Sequence, residues 1–376
     1  MIIPFNKIYT SSESVANVKD LTLYPERILE QYYTKRCSLH FESMYPEHHA
    51  VMVASCTAAL ELAAISLDFC DDEEIIMPSY NFVGVANAFA LHGAKLVFVD
   101  IEPNSMNICA NAIEKAITNK TKAVLMMHYS GVACEIDKIK DICSRHNLLL
   151  IEDNAQGIGV TYKNQLLGSY GDFSTISFDS QKNLSCSEGG ILLYKKKYHD
   201  TVMTAFDNGT NKQAFSQGLT PSFEWTNKGS KFTMSEYNAA ILSALLDEQS
   251  TILKGRKERW FLLYKALSSL TLPSGFLPEH MNNPEHNAHL FFVKCKDIEE
   301  RKALINHLNN RGIRTMFHYT PLHSSEYAKK HGFILENDLY TTIESQRVLR
   351  LPIYNALSQK EINHLASSIH EFYSQK

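Results

Sequence analysis

The sequence lacks the features of several common protein classes. Its 376 residues have a formal net charge of -4, and lysine and arginine are scattered instead of forming a basic stripe, which disfavours nucleic acid as a partner. No uninterrupted apolar run is long enough to cross a bilayer, and the start, Met1–Asn6, has neither a basic region nor a long apolar stretch. We therefore expect a cytoplasmic protein with no membrane partner.

The eight cysteines form no Cys-x-x-Cys pair, and most of them stand inside apolar runs. This pattern is typical of reduced thiols in a protein core, and it predicts neither a disulfide framework nor a metal site. Hydrophobic residues make up 44% of the chain and charged residues 21%, the balance of a globular enzyme with one large core or two domains.

Short apolar runs alternate with helical patterns through the first half of the chain. The runs are Val51–Ala54, Ile75–Met77, Leu96–Val99, Ala123–Met127, Leu148–Ile151 and Thr175–Phe178. Because strands that are buried on both faces are continuously hydrophobic, the alternation predicts an α/β fold with a mostly parallel sheet between two layers of helices. Ligands of such folds bind at the carboxyl ends of the strands, where this sequence places Asp100, Glu152 and Asp153.

The later part of the chain has a different pattern. From about Met234 to Tyr264 it is helical, and the runs at His289–Val293 and Arg314–Phe317 are strand-like. We predict a large domain over residues 1–264, which includes an N-terminal segment and a long linking helix. A small C-terminal α+β domain is predicted over residues 265–376, and with no flexible linker between them the two should pack tightly.

The stretch from Leu148 to Lys182 suggests a specific chemistry. It places Asp153 at the end of a buried strand, where a carboxylate is costly unless a cation such as a protonated pyridine nitrogen meets it. A ring kept cationic in this way makes pyridoxal 5′-phosphate (PLP) an electron sink, while Lys182 bonds to the cofactor and later moves a proton. Such a lysine must be a neutral amine for part of the time, and burial favours that form by lowering its pKa.

Each of these residues also has an ordinary structural interpretation. A strand-ending aspartate often caps the following helix, and a lone lysine is usually solvated. Val51–Leu60 supplies a strand, a polar turn and a helix start, which suits a phosphate. Ser55 and Thr57 in that turn equally suit simple N-capping, so the motif alone leaves both interpretations open.

Taken together and in order, the motifs resemble those of the DegT-type sugar aminotransferases over nearly the whole chain. The resemblance rests on Ser55-Cys-Thr-Ala-Ala-Leu, Met77-Pro-Ser-Tyr-Asn-Phe-Val, Ile151-Glu-Asp-Asn-Ala-Gln, Ser177-Phe-x-x-x-Lys-Asn and Glu188-Gly-Gly. It implies PLP fold-type I, the architecture of aspartate aminotransferase, with PLP as the cofactor. It also implies a homodimer whose active sites are shared at the interface.

The resemblance further implies roles for individual residues. One group would contact the cofactor: Lys182 as the Schiff-base lysine, Asp153 at the pyridine nitrogen, Gln156 near the hydroxyl, Phe82 on the ring face, and Ser177 with the amides of Cys56 and Thr57 at the phosphate. A second group would contact the substrate: Asn183, Glu188 and His323. From the sequence alone, Phe82 is equally well explained as a core aromatic, and His128 and His323 as ordinary hydrogen-bonded histidines.

Three further stretches indicate the substrate. His128-Tyr-Ser-Gly-Val-Ala-Cys-Glu-Ile-Asp, Asn208-Gly-Thr-Asn and Phe317-His-Tyr-Thr-Pro-Leu-His323 are most similar to the dTDP-4-amino-4,6-dideoxygalactose transaminases. This implies transfer of an amino group from glutamate to C4 of a dTDP-4-keto-6-deoxyhexose, for amino sugars of surface polysaccharide such as the O-antigen. Amination at C3 or of a cyclitol ketone, and a non-catalytic regulatory or binding protein of this fold, are the alternatives. A sugar dehydratase is disfavoured because relatives of that class have histidine in place of the lysine.

The chain departs from the family pattern at three places. Pro25–Thr34 stands where the family usually has a Gly-Asp-Gly loop. Asp179 stands where relatives often have His or Tyr, and its charge should raise the pKa of Lys182. Lys231 stands in the segment from which many members extend an Asn to the neighbouring subunit's phosphate, and we expect Lys231 to make a charged contact there across the dimer interface.

Overall fold

The computed structural model describes residues 1–70, 72–277 and 285–374. The first nine strands are β1 His48–Val53, β2 Glu74–Pro78, β3 Lys95–Val99, β4 Thr121–Met127, β5 Leu149–Asp153, β6 Thr161–Tyr162, β7 Gln165–Leu166, β8 Phe173–Ser177 and β9 Gly190–Lys195. Seven of them form one sheet in the order β1-β9-β8-β5-β4-β2-β3, and β6 pairs only with β7. The sheet is therefore assembled from the apolar runs that the sequence marked, with β9 in addition.

Five neighbouring strands of the sheet, β8, β5, β4, β2 and β3, run parallel to one another, whereas β9 is antiparallel to both β8 and β1. The mostly parallel sheet expected from the continuous hydrophobic runs is confirmed. Because β9 reverses direction, its first residue, Gly190, lies at the same sheet edge as the last residues of β1 and β8.

Helices cover both faces of this sheet. They are α1 Ser12–Leu23, α2 Glu26–Leu29, α3 Tyr32–Met44, α4 Cys56–Leu67, α5 Val83–Ala90, α6 Ala110–Ala116, α7 Ile136–Arg145, α8 His199–Phe206, α9 Lys212–Ser216, α10 Glu236–Asp247 and α11 Gln249–Ser268. Successive side chains of a strand point to opposite faces of the sheet, so each face has its own hydrophobic core. Ile75 packs with α4 and α5 on one face, and Ile76 packs with α6 and α7 on the other. Among the described residues, no helix has both the length and the apolar composition that a membrane span requires.

The C-terminal part builds a second core around a small antiparallel sheet. Its elements are β10 Phe291–Lys294, α12 Ile298–Asn310, α13 Glu326–His331, α14 Thr341–Arg347, β11 Val348–Leu351 and α15 Gln359–Ser374. Trp260 and Leu267 of α11 belong to this second core, as does Ile3 from the start of the chain. A domain boundary between residues 264 and 265 stays a prediction.

Arg314–Phe317 is not a strand, so that expectation is wrong. Within this segment only Met316 makes a bridge, with Arg350, and the preceding residue, Ile313, makes an isolated bridge with Ile3. Ile313 is buried in the second core, whereas Met316 and Phe317 are exposed.

The pair β10 and β11 lies between the two cores. Phe291 and Leu349 face the second core, whereas Phe292 and Val348 pack with residues that follow the parallel strands. Since side chains alternate along a strand, Arg350 is on the same side as Val348 and faces the carboxyl edge of the large sheet.

Candidate active site

A cavity of about 740 Å³ lies at the carboxyl ends of the parallel strands. Its walls come from the start of α4, the ends of β4, β5 and β8, the turn that contains Lys182, and residues near β10 and β11. This volume is large enough for a cofactor together with a substrate. The predicted site residues that line it are Cys56, Thr57, Phe82, Asp153, Gln156, Ser177, Lys182 and Glu188.

Asp153 is the last residue of β5 and is only 2% exposed. One oxygen, Oδ1, accepts the N–H of Ala155 at 3.0 Å. Burial raises the pKa of Asp153, while the Ala155 N–H and the positive charge of Lys182 act in the opposite direction. A buried carboxylate in the wall of a cavity is suited to a ligand that brings a positive charge.

Glu152, the preceding residue, faces away from the cavity and has a structural role. Its carboxylate accepts backbone N–H groups from the segment 168–171, and His128 Nε2 lies 2.9 Å from its Oε1. Because His128 Nδ1 accepts the Cys134 N–H at 3.1 Å, Nε2 holds the proton and donates to Glu152. His128 is thus an ordinary hydrogen-bonded histidine that does not line the cavity.

Lys182 is partly buried and lies in a turn, where its backbone N–H donates to the Asp179 carbonyl at 2.9 Å. Burial lowers the pKa of Lys182, and the carboxylates of Asp153 and Asp179 oppose that shift. The expected effect of Asp179 therefore has the direction that the sequence indicated. The net lowering favours the neutral amine that can bond to an aldehyde carbon.

The start of α4 forms another part of the wall. Ser55 is its N-cap, with Oγ accepting the Ala58 N–H at 3.0 Å, so the capping interpretation holds for this serine. The N–H groups of Cys56 and Thr57 lie in the first turn, where a helix has no internal acceptors. Together with the buried hydroxyl of Ser177, these donors form a site for an anion such as phosphate.

Phe82 and Gln156 border the space between the anion site and Asp153. The Phe82 side chain is 51% exposed, so it is not a core aromatic and can offer a ring face to a ligand. Gln156 is held in place at both ends, since its Oε1 accepts the Ser130 N–H at 2.7 Å and its Nε2 donates to the Tyr319 hydroxyl at 3.1 Å.

Three predicted residues do not line the cavity in this chain: Asn183, Lys231 and His323. Asn183 Oδ1 lies 3.1 Å from Nδ1 of His289, which does line the cavity, so Asn183 orients a lining residue. His323 Nδ1 lies 2.7 Å from the hydroxyl of Ser79. Lys231 is exposed. Their expected contacts with cofactor or substrate stay predictions.

The cavity also contains residues to which the sequence assigned no individual role. They include His289, His318, Tyr319 and Arg350 from the C-terminal part, of which His318 and Tyr319 stand in the motif that begins at Phe317. The rings of His318 and Tyr319 stack with centroids 4.0 Å apart. Arg350 interrupts the apolar run Val348-Leu-Arg-Leu, and an isolated cation in a buried strand was the available signal.

The arrangement fits a flat heteroaromatic cofactor with an aldehyde and a phosphate. The helix start would bind the phosphate, Phe82 would cover the ring, Asp153 would pair with a cationic ring nitrogen, and Lys182 would bond to the aldehyde, since all of these groups line one cavity. Next to Asp153 in the sheet, the buried Thr175 hydroxyl interacts with the Asp153 carboxyl by hydrogen bonding, which lowers the pKa of Asp153 and favours its charged form.

Comparison with known proteins agrees with this geometry. Residues 26–370 match the model of the DegT/DnrJ/EryC1/StrS aminotransferase family. The chain belongs to this family. The relationship that the motifs suggested is therefore confirmed at the level of the family.

Solved structures of aminotransferases share the fold at low sequence identity. PseC of Helicobacter pylori, an aminotransferase involved in the biosynthesis of pseudoaminic acid, has 21% identity and a TM-score of 0.89, with 100% of both chains covered. TlmJ of Streptoalloteichus hindustanus has 23% identity and a TM-score of 0.86, again over 100% of both chains. NtdA of Bacillus subtilis, solved with bound cofactor PMP, has 24% identity and a TM-score of 0.85, over 100% of this chain and 86% of that one. The family member described here has PLP fold-type I architecture, as expected.

Proposed function

We propose that this family member is a PLP-dependent transaminase that moves the amino group of glutamate to the C4 ketone of a dTDP-4-keto-6-deoxyhexose. The observation that supports it best is the presence of buried Asp153 and Lys182, whose pKa is lowered, in the wall of one cavity beside a helix start. Glutamate becomes 2-oxoglutarate, and the ketone oxygen of the sugar is replaced by the amino group.

Bound PLP supplies an electrophilic carbon for the amino group and a ring that accepts electron density when a proton leaves the neighbouring carbon. Asp153 keeps a proton on the ring nitrogen by pairing with its positive charge. Lys182 would hold the cofactor through its ε-amino group and, once its amine is free, would move the proton at the neighbouring substrate carbon. The amides of Cys56 and Thr57, with Ser177, bind the phosphate.

The sugar substrate is proposed from the motifs around His128, Asn208 and Phe317, which resemble enzymes that aminate C4. The product is an amino sugar for surface polysaccharide, made in the cytoplasm. We further propose that the enzyme is a homodimer, with Lys231 of one subunit contacting the phosphate bound in the other. An ammonium can pair with a phosphate dianion more strongly than a neutral amide can.

Absorbance and product analysis test the function. Purified protein should have a near-ultraviolet to visible PLP band that is lost in Lys182→Ala and kept in Lys196→Ala, which changes an exposed lysine outside the cavity. Incubation with glutamate and a panel of nucleotide keto-sugars and cyclitol ketones, followed by NMR of the products, identifies the ketone and the position of the new amine. A PLP band without amination of any ketone would show a non-catalytic protein.

A further inference from the structure

His289 lines the cavity, and its neighbours fix which ring nitrogen carries the proton. The residue is 4% exposed and lies just before β10. Asn183 Nδ2 donates to the Asn287 carbonyl at 2.9 Å, so the amide oxygen of Asn183 is the atom that faces His289, 3.1 Å from Nδ1. Because an amide oxygen only accepts hydrogen bonds, Nδ1 holds the proton and donates it. The other ring nitrogen, Nε2, is therefore unprotonated.

The backbone of His289 is held on both sides. Its N–H donates to Oδ1 of Asn287 at 3.1 Å, and Nδ2 of that residue donates to the carbonyls of Gln156 and Ile158 at 2.9 and 3.0 Å. The His289 carbonyl accepts Nη2 of Arg256 at 2.9 Å. No hydrogen bond joins Nε2 to any residue in the ranges that the structure describes. A fixed ring thus leaves one basic nitrogen for a ligand in the cavity.

His286 shows what a structural buried histidine looks like in the same segment. It is also 4% exposed, but it does not line the cavity and packs against Trp260 with ring centroids 4.4 Å apart. Its Nδ1 accepts the Ala288 N–H at 3.0 Å. The unprotonated nitrogen of His286 serves the backbone, whereas that of His289 is available at the cavity wall.

Cationic groups act on His289 from several elements. Burial holds its pKa well below the ordinary range, and the charges of Lys182, Arg256 and Arg350 lower it further. His318 acts in the same direction. The imidazole is therefore neutral, as a base must be before it acts. A bound phosphate and the carboxylates of an amino donor oppose these cations, so ligands raise the pKa of His289 towards the range in which imidazole exchanges protons readily.

Other groups on the cavity wall are less able to accept a proton from an amine. Nε2 of His318 already accepts a guanidinium N–H. Burial raises the pKa of the Cys56 thiol to about 12, so the thiol stays protonated. Asp153 is assigned to the cationic ring nitrogen, and the carboxylates of Asp179 and Glu188 are exposed, where water competes for them.

We propose that His289 accepts a proton from the amine that enters beside Lys182, an inference that rests on the proposed function. One proton of the entering ammonium passes to Nε2, and the freed electron pair forms the new bond to the cofactor carbon. A second proton passes to Nζ of Lys182 as the bond from Nζ to that carbon breaks and leaves its electron pair on Nζ. Lys182 is thereby released as the neutral amine that the next proton transfer, at carbon, requires. When the amino sugar leaves, the steps run in reverse and Nε2 returns its proton to the departing amine.

Two small amines test this role. Methylamine is an ammonium ion at neutral pH, whereas hydroxylamine is largely neutral there and has no such proton to lose. Each displaces Lys182 in PLP-loaded protein, and stopped-flow absorbance follows the change in the PLP band. His289→Asn keeps an amide N–H at the place of Nδ1, facing Asn183, and removes Nε2. In this variant the rate constant with methylamine should fall at least about 100-fold, and that with hydroxylamine only a few-fold.

A matched variant and a pH series distinguish a proton acceptor from a structural residue. His286→Asn can accept the Ala288 N–H through its amide oxygen, and it should react with both amines at wild-type rates. Raising the pH should bring the methylamine rate of His289→Asn back towards that of wild type, because the free amine needs no base. Equal slowing of both amines in His289→Asn, or no slowing of methylamine, overturns the assignment.

Nitrogen NMR of isotopically labelled histidine adds a readout that needs no reaction. In PLP-loaded wild type, the resonances that are missing from His289→Asn should show a protonated Nδ1 and an unprotonated Nε2 at neutral pH. A protonated Nε2 contradicts the inference.

The amine experiment also separates this inference from the proposed function, because it uses neither glutamate nor a sugar. If the methylamine reaction depends on His289 but the protein aminates no ketone, the inference stands and the proposed function fails. If ketones are aminated but the methylamine reaction is the same in wild type and His289→Asn, the proposed function stands and the inference fails.

Discussion

At the end of β5, two adjacent carboxylates have opposite surroundings. Glu152 is fully buried and is surrounded by N–H donors, so its negative charge is compensated within the protein. Asp153 has one backbone donor, and burial raises its pKa, so its charge is only partly compensated. The sequence pair Glu-Asp does not distinguish the two, but the alternation of side chains along the strand does.

Amide substitution at each residue should have different consequences. In Asp153→Asn the partner of the ring nitrogen loses its charge, a change of about 3–5 kcal/mol at a buried pair, so turnover should fall roughly 10²- to 10⁴-fold with little change in Tm. In Glu152→Gln a neutral amide faces several N–H donors, so a similar loss of free energy should lower the stability of the fold and hence Tm, with a smaller effect on turnover. Half-reaction kinetics and thermal unfolding of both proteins check this. Equal losses of turnover and Tm in both would contradict the division of roles.

Asp179 provides a prediction about pH. Lys182 must be neutral to attack the cofactor, so the rate at which apoprotein bonds PLP rises as pH increases through the lysine's pKa. The Asp179 carboxylate raises that pKa, hence Asp179→Asn should lower it and move the rise to lower pH. Stopped-flow absorbance of PLP addition over a pH series measures the midpoint. A midpoint that stays fixed or moves to higher pH contradicts the electrostatic role of Asp179.

At the scale of elements, the anion site depends on the close approach of β9 to the start of α4. A Cβ at Gly190 would lie 2.5 Å from the Cys56 nitrogen, and this contact is with backbone that cannot turn aside. Gly190→Ala should therefore cost about 1–3 kcal/mol of stability and weaken PLP binding, because the helix start must move. At Gly189 the added Cβ would instead meet the flexible end of the Met234 side chain, at 2.7 Å. Gly189→Ala should therefore lower Tm and PLP affinity less than Gly190→Ala does. Equal losses in the two variants would argue against the backbone contact at Gly190.

Elements that depend on local pattern were predictable, and those that depend on tertiary pairing were not. The parallel strands appear in the sequence as apolar runs because both their faces are buried. β9 is apolar too, but no periodicity reveals that it runs in the opposite direction. Arg314–Phe317 looks like a strand although its backbone pairs only in isolated bridges.

The same limit applies to the site. Lys182 and Asp153 were found because they follow strands that also end at the cavity. Arg350 arrives there on β11, because β10 and β11 pack against residues that follow the strands of the large sheet. Its position follows from contacts between distant parts of the chain, which the motifs do not encode.

At the scale of the whole molecule, one segment exposes more apolar surface than a monomer needs. It spans residues 207–231, is joined to itself by bridges between Asp207 and Lys231 and between Thr210 and Trp225, and includes exposed Leu219 and Phe223. The Trp225 side chain is 82% exposed. Several exposed apolar side chains in one segment are typical of an interaction surface, and a second copy of the chain is the partner in the proposed dimer.

This segment connects the proposed dimer to the proposed phosphate contact of Lys231. If Trp225 is buried between subunits, Trp225→Glu should weaken the dimer by about 2 kcal/mol or more, roughly 30-fold in the dissociation constant measured by sedimentation. PLP affinity should then fall as the protein is diluted into monomers, whereas Lys231→Ala should weaken PLP binding in the intact dimer. Ile334→Glu, a change at another exposed apolar residue, serves as the control and should leave the dimer intact. Trp225→Glu and Lys231→Ala each remove one contact on which a site shared between subunits depends. A Trp225→Glu protein that stays dimeric, or a Lys231→Ala protein with unchanged PLP affinity, would therefore refute the shared site.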